Sequence, residues 1–121
     1  MKSIYEITDT FEDEAGNSCF EISLNPEHKI YEGHFPQNPV TPGVVMLQIL
    51  KYLTEEKLHQ KLMMVEASNV KFLSMVNPQY DSRLIYKIKV TEVENEFQIK
   101  NTTTFPAGRL VLKCNATFVI R

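Results

Sequence analysis

The sequence predicts an α+β domain in which one helix is enclosed by a curved antiparallel sheet. Three observations predict it. The segments read in the order two strands, one helix, four strands. The helical run "VVMLQILKYL" is apolar on almost every face, so other structure has to wrap it. In the strand after the next turn, Leu84, Tyr86, Ile88 and Val90 alternate with Lys87 and Lys89, the mark of a sheet with one covered and one wet face. One helix cannot cover the apolar face of six strands, so a partner subunit is expected.

Each element has its own signal. Residues 3–11, "SIYEITDTF", alternate in part at a period of two. "EDEAGN" turns the chain, with Gly16 and Asn17 at the tip, and 18–24, "SCFEISL", returns as the second strand of a hairpin. An irregular stretch follows, with four prolines and two glycines between Asn25 and Gly43. Thr41 is a good N-cap, Pro42 suits the first helical position, and Gly43 leaves the backbone approachable. The helix is expected to run to Leu58 or Gln60, with His59 and Lys61 complementing the dipole at its end. Strands are expected over 62–74, 82–93, 96–104 and 109–120, separated by turns at 77–81, 93–96 and "FPAG".

Bulk properties narrow the function. A chain of 121 residues makes one domain, 1–121, and 43% apolar with 23% charged is ordinary globular composition. A net charge of -2, with basic residues scattered, predicts neither nucleic acid nor an anionic membrane as partner. The first residues lack the apolar core of a signal peptide, and the longest apolar run, broken by Gln48 and Lys51, is too short to span a bilayer. A cytoplasmic protein is expected, with Cys19 and Cys114 as buried free thiols. The sequence has no metal-ligand spacing, Walker loop, dinucleotide fingerprint or nucleophile elbow.

The chemistry is expected at "YEGHFPQNPVTPGVVMLQIL". His34 sits on a proline-constrained loop that leads straight into a helix N-terminus. Such an end offers unpaired N–H groups and a partial positive charge, and Gly43 lets a substrate approach them. A base beside a donor pocket suits removal of a proton next to a carbonyl.

The segment "GHFPQNPVTPGVVMLQ" resembles the active-site segment of the hot-dog-fold 3-hydroxyacyl-[acyl-carrier-protein] dehydratases, the FabZ/FabA family. That pattern runs G-H-F-P-G-x-P-x-x-P-G-V, then three residues, then Glu or Asp. Gly33, His34, Phe35, Pro36, Pro39, Pro42 and Gly43 fall in register. Downstream, "SNVKFLSMVNPQYDSRLIY" resembles the family's segment in which a basic residue and Phe lead through two turns into a long strand.

The resemblance implies a hot-dog fold, a dimer whose two sheets join, and dehydration of 3-hydroxyacyl thioesters in fatty-acid or polyketide-type biosynthesis. His34 would remove the α-proton, and the N–H of Gly43 would polarise the thioester carbonyl. Phe35, Pro42, Val44 and Leu47 would line the acyl tunnel. The substrate would ride on the phosphopantetheine of acyl carrier protein or CoA, with no metal or redox cofactor. An acid fourteen positions after the histidine would expel the hydroxyl as water, across the subunit interface. Here that position is Gln48, and an amide neither releases a proton nor accepts one as a carboxylate does.

A homodimer should therefore be a poor dehydratase, since losing a general acid costs about 10²–10⁴ in rate. The alternatives are a thioesterase in which Gln48 positions water, or a subunit that completes a heteromeric dehydratase with a partner supplying the acid. Other departures are Gln37 in place of glycine, Leu73-Ser74 after Lys71-Phe72, and the bulky run Ile49-Leu50-Lys51-Tyr52 where the family has small residues. His28 and His59 read as structural or solvated, and Glu32 as a poorly placed substitute acid.

Overall fold

The computed structural model describes residues 4–33 and 39–121. Its elements are β1 (Tyr5–Glu12), β2 (Ser18–Leu24), a single 3-10 turn (Lys29–Tyr31), α1 (Gly43–Leu58), β3 (Leu62–Phe72), β4 (Arg83–Val93), β5 (Glu96–Thr104) and β6 (Leu110–Ile120). The strands form one antiparallel sheet in the order β1-β2-β4-β5-β6-β3. The expected fold class and element order are those observed, within a residue or two at most ends. The 3-10 turn had no periodic signal; His28 caps it, its Nδ1 accepting the Ile30 N–H at 3.1 Å. His28 is thus a local brace, not a merely solvated side chain.

The reversals follow local chemistry. At 13–17, Asp13 Oδ1 accepts the N–H groups of Ala15 and Asn17, and Gly16 takes φ 82°, a left-handed conformation that costs glycine little.

The sheet buries one face, as the alternation predicts. Leu84, Tyr86 and Ile88 of β4 pack with Phe97 and Ile99 of β5, and with Leu112, Cys114, Ala116 and Phe118 of β6, in the core that includes Val45, Met46, Ile49, Leu50 and Leu53 of α1. Tyr86, fully buried, donates its hydroxyl to the Met46 carbonyl at 2.9 Å and fastens the first half of α1 to β4. Both cysteines are buried free thiols. None of the described helices is long and apolar enough to cross a membrane.

The helix is less fully wrapped than its composition suggests. Val44 is 72% exposed, and Leu47, Gln48, Lys51 and Tyr52 are half-buried. Their spacing makes one stripe that runs from the helix tip along the side the sheet leaves open. The sheet's two rims also differ. β1 carries Glu6, Asp9 and Glu12 on an exposed edge, whereas Leu62–Ala67 of β3 has a single charge, Glu66, and half-exposed Met63 and Val65.

Candidate active site at the tip of the central helix

The helix begins one residue later than the sequence predicts. Pro42 is the N-cap, with φ -62° and ψ 143°, and its carbonyl accepts the N–H groups of Val45 and Met46. Thr41 is buried and engaged elsewhere: its N–H goes to the Val76 carbonyl at 2.8 Å, and its hydroxyl pairs with the Tyr31 hydroxyl at 3.0 Å. Tertiary partners have thus taken the groups that would have capped the helix. Among the described residues no side chain caps the tip, and the first N–H groups of any helix lack intrahelical partners and stand at the positive end of its dipole.

Packing disfavours a side chain at Gly43 while Phe72 keeps its place. A Cβ built on it would lie 2.6 Å from Cζ of Phe72 and about as close to two more ring carbons. The approach the sequence reserved for a substrate is thus taken, on this side of the backbone, by an aromatic ring that is itself 48% exposed. The lysine-phenylalanine pair at 71–72 was legible as a motif, but its contact with Gly43 was not. With Val44, Leu73 and Met75 also exposed, the tip is bordered by apolar side chains.

Gln48 lies one turn in from the tip. Its Nε2 donates to the Tyr52 hydroxyl at 2.9 Å, an i, i+4 pair along the open stripe. Lys51 stacks its ammonium 5.2 Å from the Tyr52 ring centroid, so it neighbours the tyrosine instead of trailing into solvent. The sequence held the spacing that could have flagged Tyr52.

The other expected residues fall as follows. Pro42 and Leu47 are half-buried, Val44 is exposed beside the tip, and Leu47 also packs on the core. His34 and Phe35, like Gln37, lie outside the described residues. Tyr31 and Thr41, which flank them in the sequence, meet through their hydroxyls in the buried pair above. Glu32 is exposed. Among the described residues, no group of His, Cys, Asp and Glu is arranged to hold a metal ion.

A single long helix cradled by a six-stranded antiparallel sheet, with an uncapped tip opening at the uncovered side, defines a hot-dog-fold protein of the dehydratase and thioesterase superfamily. Sequence comparison gives the family. Residues 10–109 match the model of the ApeI-like family, described as ApeI dehydratase, and the chain belongs to it. The chain is 33% identical over 104 residues to the 3-hydroxyacyl-[acyl-carrier-protein] dehydratase FabZ of Fusobacterium nucleatum, covering 82% of this chain and 71% of that one. Among solved structures, the dehydratase heterocomplex ApeI:P of Xenorhabdus doucetiae is similar with a TM-score of 0.73, at 18% identity, over 98% of this chain and 99% of that one. A hypothetical thioesterase of Streptococcus pneumoniae with coenzyme A gives 0.64, at 14% identity, over 97% and 85%. At such identities the structural likenesses speak for the fold.

Proposed function

We propose that this chain is one subunit of a heteromeric dehydratase acting on 3-hydroxyacyl thioesters carried by phosphopantetheine. It lends the shared site His34 and the N–H donors of the α1 tip, and a related subunit supplies the carboxylate. The observation that carries this reading is Gln48. By the spacing of the motif it falls at the place of the family's acid; it lies on the open stripe of α1, and its amide is held by Tyr52. Nothing at that position can deliver a proton to a leaving hydroxyl.

The chemistry divides accordingly. His34 removes the α-proton while Gly43 N–H steadies the enolate oxygen that develops on the thioester. Loss of the β-hydroxyl as water then draws a proton from the partner's acid. Membership in the ApeI-like family supports the reaction class, and a similar fold in a dehydratase heterocomplex supports the division of labour. The subunits would join along β3, a sheet rim with half-exposed Met63 and Val65, which brings the open side of each helix to the junction.

A second reading uses the same amide differently. With Nε2 given to Tyr52, the Gln48 Oε1 would serve as the acceptor that orients a water for thioester hydrolysis. The thioesterase structures of like fold are consistent with it.

The test is an assay of 3-hydroxyacyl and enoyl thioesters with the chain alone, with a co-expressed dehydratase-like subunit, and with Gln48→Glu. Hydration and dehydration should be slow for the chain alone, rise on adding the second subunit, and rise about two orders of magnitude in Gln48→Glu alone. Full dehydratase turnover by a strict homodimer would overturn the proposal. Release of free thiol without enoyl product would replace it with hydrolysis.

A further inference from the structure

The outer face of the sheet, which α1 does not touch, carries a second pattern. Its side chains alternate with the buried Ile88, Ile99, Cys114 and Ala116. Across β4, β5, β6 and β3 the register lines them up in two adjacent rows. One reads Lys87, Thr102, Lys113, Lys71; the other reads Lys89, Lys100, Asn115, Ser68. Lys89 is the direct cross-strand partner of Lys100, and Lys71 of Lys113. Like charges directly opposite each other weaken a sheet. A wet face commonly mixes its signs; here Glu21, Glu66 and Glu96 of the same face lie outside the two rows, which themselves carry no carboxylate.

The rows border two adjoining hollows of about 410 and 380 Å³ that share Lys100 and Asn115. Among the described residues, Glu66 is the only carboxylate lining either hollow. Asp13, from the β1–β2 turn, reaches Lys87 at 3.9 Å at the margin of the face. This concentration of positive charge stands on a chain whose net charge is -2.

We propose that this face docks an acidic protein surface, one that presents several carboxylates to Lys89, Lys100 and Lys113. The surroundings select among anions. The strand backbones spend their N–H groups on the sheet ladder, so the amide cradle that grips a phosphate is missing here. The rows hold no aromatic side chain on which a nucleic-acid base could stack. What the face offers is ammonium groups interleaved with Thr, Asn and Ser, shallow and open. Carboxylates on another folded surface meet such groups through a rim-type, salt-sensitive contact. Asp13 on Lys87 is an example of that pairing within the chain itself.

The experiment titrates a decaglutamate peptide into the protein at low salt, following amide shifts by NMR and affinity by calorimetry. Shifts should map to the outer residues of β4, β5 and β6, and binding should fade as salt rises. The triple variant Lys89→Gln/Lys100→Gln/Lys113→Gln should bind at least about tenfold more weakly. A control triple, Lys29→Gln/Lys61→Gln/Arg109→Gln, removes the same charge elsewhere and should bind as the wild type does. Lys100→Gln alone should weaken binding while raising the melting temperature, because it relieves the Lys89 repulsion. No binding, equal loss in both triples, shifts centred on the α1 tip, or tighter binding of decathymidylate at this face would each overturn the proposal.

Discussion

The two ends of α1 are built on opposite plans. At the C-terminal end every device closes the helix. His59 takes the left-handed conformation at φ 55° and returns its N–H to the Glu55 carbonyl at 2.8 Å. The Glu55 carboxylate accepts the Leu62 N–H at 2.7 Å and ties the helix to the next strand, while Leu53 and Thr54 are fully buried. At the N-terminal end no side chain among the described residues caps the helix, an aromatic ring fills the space a side chain at Gly43 would need, and Val44 stands in the open. One end spends its polar groups on stability. The other has no side-chain cap among the described residues, and the proposed site would use its donors on a developing oxyanion.

That contrast can be broken by substitution. The largest stability effect should come from the closed half: Leu53→Ala empties a fully buried site and should cost about 2–5 kcal/mol in urea unfolding. Val44→Ala, at the open end, should move stability by no more than about 0.5 kcal/mol. Between them lies Gly43→Ala, where the new Cβ meets Phe72; a cost of about 1–3 kcal/mol is expected, largely relieved in Gly43→Ala/Phe72→Ala. If the second change brings no relief, the ring is not what demands the glycine. Tyr31→Phe removes the hydroxyl pair with Thr41 and should cost about 1 kcal/mol.

A further effect is a slope with pH. Burial, followed by the nearby Glu56, pushes the Tyr5 phenol up to about 12, and burial pushes the Cys114 thiol up to about 11. Each is raised above its unfolded value, so its contribution is complete below that value and is lost as pH climbs through the folded one. Stability should fall from about pH 9 to about pH 12, and less steeply in Tyr5→Phe or Cys114→Ala. An unchanged slope in both variants would remove these groups as its source.

Much of this was legible in the residues. Alternation in β4 named its buried side chains, and the apolar run over 44–53 named the central helix. The displaced cap was not legible, because Thr41 is claimed by Tyr31 and Val76, ten and 35 positions away. The grip of Phe72 on Gly43 also joins distant segments. The lysines of β4 read as one wet face, but only the strand register shows that Lys89 stands against Lys100 and Lys71 against Lys113. His34 and Phe35, on which the sequence placed the base and the tunnel wall, lie outside the described residues, so their part in the site rests on motif and chemistry.

The unequal rims of the sheet carry one more consequence. Carboxylates along β1 disfavour pairing with a like-charged strand, such as the β1 of a second copy, on that flank. The β3 flank carries no such row, so two chains that paired there would leave a carboxylate-bearing β1 at each outer edge, which would favour a closed pair over a running fibre.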